Sequence, residues 1–92
     1  MSYSEVEIAW TAPAGRALRR LPEKIAAAVV ELLYGSLAAN PYRVGKPLQL
    51  QLAGLHSACR GDYRVIYRID ELNHLIEVIA IDHRADAYRP RE

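Results

Sequence analysis

Cysteine occurs once in this 92-residue chain, and lysine only at Lys24 and Lys46. A lone Cys59 excludes an internal disulfide and a cysteine-built metal site, and it suits a reducing cytoplasm. No apolar run is long enough to cross a membrane, since the most apolar stretch, Ile25 to Tyr34, is short and interrupted by Glu31. Glu5 and Glu7 stand where a secretory signal would carry basic residues and then an apolar core. A cytoplasmic protein with no membrane attachment is therefore expected. Walker loops, glycine-rich dinucleotide turns, H-E-x-x-H and G-x-S-x-G are all missing. His56, His74 and His83 are too scattered to suggest a metal, and no cofactor is expected. With lysine so scarce, arginine does most of the cationic work, and its planar fork suits bidentate anions such as phosphates.

The composition, 51% hydrophobic and 25% charged, is that of a folded chain, and the length suits a single domain over residues 1–92. Repeats, low-complexity tracts and linkers do not occur. Net charge is only +1, but its distribution is uneven. Between Pro41 and Ile69, Arg43, Lys46, Arg60, Arg64 and Arg68 face one carboxylate, Asp62, a local surplus of four. One basic region in a nearly neutral molecule points to a specific anionic ligand and away from a general polyanion coat.

Tyr3 to Trp10 alternates, with Val6, Ile8 and Trp10 on one side, and predicts a half-buried first strand. Thr11 offers an N-cap and Pro13 fits a first helical turn, so a short helix follows with Ala14, Ala17, Leu18 and Leu21 inward. Its Arg16, Arg19 and Arg20 make a solvated face that is also able to touch a nucleic acid. Pro22 opens a second helix, whose buried stripe is Ile25, Val29, Leu32, Leu33 and Leu37, and Asn40-Pro41 ends it. Pro41 to Pro47 reads as a loop holding Arg43 and Lys46 to solvent, and Leu48 to Leu55 as irregular. Strands are expected at His56 to Arg60, Tyr63 to Ile69 and Leu75 to Ile81, separated by Gly61-Asp62 and Asp70–Asn73 turns. The last of these is apolar on both faces except at Glu77, as for an interior strand. The expected fold is α+β: a strand, a helical hairpin, then three antiparallel strands, giving a sheet of roughly four strands with helices on one face.

The stretch Gly54 to Ile69 organises the rest. Tyr63, Val65, Tyr67 and Ile69 share one side of a strand, and Arg64, Ile66 and Arg68 the other. Such alternation often means only a solvated face, yet strand-borne arginines are also well fixed for anion binding. Near the end of the last strand stand His83, Arg84 and Tyr88. Histidine exchanges protons near neutral pH, a phenol beside guanidinium groups is acidified, and Arg64 can stabilise charge growing on a phosphate. Without a metal, this set suits cleavage of RNA through its own 2′-hydroxyl. The same residues also serve structural ends, His83 capping a strand and Tyr88 anchoring the tail.

Several motifs together resemble the RelE/ParE toxin family of bacterial toxin–antitoxin systems. They are L-x-x-L-P at Leu18–Pro22, N-P-x-R-x-G-K-P-L at Asn40–Leu48, G-L-H-S-A-x-R-G-D-Y-R-V-x-Y at Gly54–Tyr67 and H-R-x-x-x-Y at His83–Tyr88. The chain is most similar to the RelE branch of actinobacterial type. The resemblance implies a ribosome-dependent, metal-independent endoribonuclease that cuts mRNA in the A site. It also implies a RelB-like antitoxin that neutralises the toxin, with operator DNA bound only through the complex. Arg64 falls on the family's G-x-Y-R arginine and Tyr88 on its terminal tyrosine, while His83 and Arg84 fall on the H-R pair. Arg43, Lys46, Arg60 and Arg68 would then grip ribosomal RNA. Departures are Cys59, where close relatives carry a second arginine, Leu55 and Ser57 on the family's lysine pair, and Asp82 on a late arginine. A ParE-like gyrase inhibitor, or a weakened toxin that serves as antitoxin partner and co-repressor, are the alternatives.

Overall fold

The computed structural model describes residues 6–83, so Tyr3 to Glu5, Arg84 and Tyr88 lie outside the described residues. Five strands form one sheet in the order β1-β5-β4-β3-β2. They are β1 (Glu7–Trp10), β2 (Lys46–Pro47), β3 (His56–Arg60), β4 (Tyr63–Asp70) and β5 (Leu75–His83). β1 runs parallel to β5 and every other pairing is antiparallel. The fifth strand is the correction to the expected four. β2 is only two residues long, too short to show any alternation, and Pro47, which has no N–H, confines it to the sheet edge.

Thr11 caps helix α1 (Ala12–Arg20) with its hydroxyl, which accepts the Ala14 N–H at 3.2 Å. Leu21, before Pro22, turns extended and ends the helix. Helix α2 (Glu23–Leu32) then runs into a wider, π-type turn over Leu33–Leu37. In a regular helix a row of side chains four apart drifts round the axis; the wider turn counters that drift. Val29, Leu33 and Leu37 can thus all be fully buried. Pro41–Val44, expected as loop, is a short helix, α3, with proline in its first turn, where its missing N–H costs nothing. The helices cover one face of the sheet, α1 against β5 and α2 reaching β3. Between them lie Ala58, Val65, Tyr67, Ile76, Val78 and Ile81.

Two details decide which side chains leave the other face. Gly61, at φ 61°, takes the first position of the two-residue β3–β4 turn, where a left-handed backbone matches the strand twist. On β5 the register slips by one residue, Ile66 pairing with Ala80 but Tyr67 with Val78, so Ile79 is bulged. The bulge is held by Thr11. Its N–H donates to the Val78 carbonyl at 3.1 Å, and its hydroxyl to the Ile79 carbonyl at 3.0 Å. One residue therefore caps α1 and fixes the phase of β5.

Candidate functional site

Residues directly opposite one another in a sheet share a face, so the register defines the surface that the helices leave open. Across its upper part run Cys59 on β3, Arg64 on β4 and Asp82 on β5. Beside them come Lys46 on β2, Ser57 on β3, Ile66 on β4 and Ala80 on β5. Lower down, Arg68 faces Glu77. Arg64 is half-buried, whereas Cys59 and Lys46 are exposed.

Arg68 is engaged. Its Nε and Nη2 both donate to Glu77 Oε1, at 3.1 and 2.7 Å. That hydrogen bond and the carboxylate's charge raise the guanidinium pKa further. The partner strand thus spends one of the expected anion-binding arginines on an exposed ion pair.

The bulge at Ile79 separates two residues that the sequence suggested would act together. Because it shifts the alternation of β5, Asp82 lies opposite Arg64 while His83 lies opposite Tyr63, on the alternation of the helix-covered face. The imidazole of His83 meets the Tyr63 ring edge-on, with centroids 5.1 Å apart. Arg60 shares that side, being paired with Tyr63 from β3. Of the expected cations, then, Lys46, Arg64 and Arg68 share the open face, Arg60 stands with His83 across the strand end, and Arg43 is exposed on α3. Among the described residues no group of His, Cys, Asp and Glu is arranged to hold a metal ion.

Lys46 owes its placement to a buried joint. Tyr67 is fully buried and donates its hydroxyl to the Pro41 carbonyl at 2.7 Å. Burial pushes this phenol's pKa up to about 12, against a smaller lowering by the Gly45 backbone. The backbone of Gly45 passes so close that a Cβ there would overlap the Tyr67 phenol and lie 2.9 Å from the Ser57 carbonyl. His56 stacks on Tyr67 at 5.5 Å and meets Tyr42 edge-on at 5.9 Å. This joint was missed from the sequence; G-K-P beside a strand tyrosine was its only trace.

At the opposite end of the sheet from Arg64 a groove of about 600 Å³ is lined by Val6, Pro41, Tyr42, Ile69, Glu71 and Ile76, among others. Tyr42 donates its hydroxyl to Glu71 there, and the carboxylate raises the phenol's pKa. Nearby, Asp70 accepts from the backbone and side-chain nitrogens of Asn73, which lowers its pKa and fixes the β4–β5 turn.

The family model described as "ParE toxin of type II toxin-antitoxin system, parDE" matches residues 8–88. The chain is 58% identical over 82 residues to Toxin RelE of Mycobacterium tuberculosis, covering 89% of this chain and 84% of that protein. It is 50% identical over 82 residues to Toxin RelG of the same bacterium, covering 89% and 94% of the two. A chain of the M. tuberculosis RelBE2 toxin–antitoxin complex superposes with a TM-score of 0.82 at 48% identity, covering 88% of this chain and 93% of that one.

Proposed function

The chain belongs to the RelE/ParE superfamily of toxins from type II toxin–antitoxin systems, and on that premise we propose that it is a ribosome-dependent mRNA endonuclease. The observation that carries this reading is the open sheet face, where Arg64 is half-buried near the start of β4, between β3 and β5, with Lys46 on the edge strand beyond β3. A cation fixed by strands on both sides is preorganised for a phosphate whose charge grows during reaction.

In the proposed reaction the 2′-hydroxyl of one nucleotide attacks the adjoining phosphorus and gives up its proton to a base on the protein. The 5′-oxygen of the next nucleotide leaves and takes a proton from an acid. The products are a 2′,3′-cyclic phosphate and a 5′-hydroxyl. Arg64 stabilises the non-bridging oxygens, with Arg84 as a second cation, and His83 and Tyr88 exchange the protons. His83 reaches the phosphate around the strand end, since its alternation is opposite to that of Arg64. The nucleophile belongs to the RNA and arginine supplies the positive charge, so the step calls for no metal or cofactor. Arg43, Lys46 and Arg60 grip ribosomal RNA; Arg68 adds least, being bound to Glu77. A RelB-like antitoxin neutralises the toxin and carries the complex to operator DNA. The setting is the cytoplasm, and no helix among the described residues is long and apolar enough to cross a membrane.

A second reading, gyrase inhibition as in ParE toxins, draws on the placement of Asp82 and Cys59 at either side of Arg64, which dilutes the positive charge of the face. Primer extension on mRNA from cells briefly expressing the chain distinguishes the two. Cuts within translated codons that vanish with Arg64→Ala support the nuclease. Growth arrest without cuts, with inhibition of supercoiling by purified gyrase, overturns it.

A further inference from the structure

Two tyrosines of β4 each face a histidine across the sheet, and the two pairs are built differently. Tyr67 lies opposite His56 on β3, with the rings 23° from parallel and their centroids 5.5 Å apart. That imidazole is packed inward, its Nδ1 buried. Tyr63 lies opposite His83 on β5, and here the rings stand at 85° with centroids 5.1 Å apart. This imidazole is exposed, at the end of its strand. Packing explains the inner pair. An exposed histidine gains little from packing, so what the outer contact secures is the orientation of the imidazole.

Tyr63 is built to hold a neighbour still. Half-buried itself, it packs against the core. Its backbone is paired on both sides, with Arg60 on β3 and His83 on β5, and the tight turn at Gly61 lies just before it. His83 has less support of its own. Strand β1 pairs with β5 only as far as Val78, so at His83 the register ties β5 to β4 alone. An exposed imidazole on such a strand end would populate several staggered rotamers, and an edge-on ring pair selects among them. A ring contact also holds the imidazole without taking its lone pair, which suits a group that must accept and release a proton.

We propose that Tyr63 is the positioning residue for His83, its ring setting the tilt of the imidazole so that a ring nitrogen meets the RNA around the end of β5. The role rests on the nuclease reading, in which His83 exchanges protons with the RNA. Tyr63 touches no reacting atom, and the role calls for its aromatic ring and not for its hydroxyl.

The test is single-turnover cleavage of a short mRNA on purified 70S ribosomes, with the toxin concentration varied to separate the maximal rate from half-saturation. Tyr63→Leu and Tyr63→Ile keep an apolar body against the core but remove the ring, and each is scored where urea unfolding shows it folded. Their maximal rate is expected to fall about threefold to tenfold, the bias that such a ring pair exerts on geometry, with half-saturation unchanged. Tyr63→Phe keeps the ring and should recover the wild-type rate. In a His83→Ala background, Tyr63→Leu should cost nothing further, because no imidazole is left to place. An equal loss in both backgrounds makes Tyr63 a packing residue and overturns the proposal. So does a full rate in both aliphatic variants, or a His83→Ala rate equal to that of the wild type. No cleavage by the wild type overturns the nuclease reading as well.

Discussion

Arg64 and Arg68 occupy the same outward face of β4, and each lies opposite a carboxylate on β5, Asp82 for one and Glu77 for the other. Their settings differ on the β3 side. Arg64 is flanked there by Cys59 and is half-buried, whereas Arg68 lies past the last β3–β4 pair, His56 with Tyr67, and is exposed. Strands on both sides confine the backbone and stem of Arg64; Arg68 is confined mainly by its bond to Glu77. The comparison teaches that equal alternation does not mean equal precision. An exposed ion pair is screened by solvent and adds little, while a half-buried cation acts in a less polar setting.

The largest effect should separate these two positions. Arg64→Ala is expected to reduce cleavage of translated mRNA by about 100-fold or more, the scale of losing one preorganised charge at a developing anion, with stability changed by less than about 1 kcal/mol. Arg68→Ala should leave cleavage within about threefold, since its guanidinium is already taken by Glu77. Equal losses in a single-turnover assay would break the comparison and bring Arg68 into the site.

Next in size comes Gly45→Ala. A methyl at this position overlaps the Tyr67 phenol, which is buried and bonded to Pro41, so neither partner yields cheaply. Overpacking of this kind should cost about 2–3 kcal/mol in urea unfolding and, by moving β2, weaken ribosome binding through Lys46. Unfolding equal to wild type would mean that the joint adjusts freely. The Glu7–Trp10 part of the alternating stretch expected from Tyr3 to Trp10, the Tyr63–Ile69 strand, the Thr11 cap and the Asn40-Pro41 stop were legible because each is a local signal. Arg64 and Arg68 on one outward side of β4 were legible for the same reason, whereas Lys46, expected on a loop, was not foreseen on that face. The joint at Gly45 was not, because it depends on a tertiary contact with a tyrosine 22 positions away. Nor was β2, whose two residues have no period. The relation of Asp82 and His83 to Arg64 was hidden by the bulge, which inverts the face of every residue after Ile79.

Thr11 tests that inversion. Thr11→Ala removes the α1 cap and the donor to the Ile79 carbonyl together, and should cost about 1–2 kcal/mol. Thr11→Ser keeps the hydroxyl and should recover most of this. If the bulge relaxes in the alanine variant, Asp82 and His83 exchange faces. The Tyr63–His83 ring contact would then disappear from nuclear Overhauser spectra of the variant.

The smallest expected effect concerns Tyr67 and alkaline pH. Its folded pKa, raised to about 12 from an ordinary 10.0, means that the native state keeps a proton which the unfolded chain releases first. From about pH 10 to 12 the native state therefore binds more protons than the unfolded one, and unfolding free energy falls as pH rises. Below pH 10 the phenol is neutral in both states and this contribution is complete. Tyr67→Phe should cost only about 1 kcal/mol near neutral pH, the net worth of its bond to the Pro41 carbonyl. The variant's stability should then decline less steeply above pH 10 than that of the wild type, so the two curves converge. Parallel curves in urea titrations at stepped pH would show that the phenol ionises as freely in the folded protein as in the unfolded chain. The joint that holds Lys46 would then be open to water, and the helix-covered side of β4 no better sealed than the side that carries Arg64.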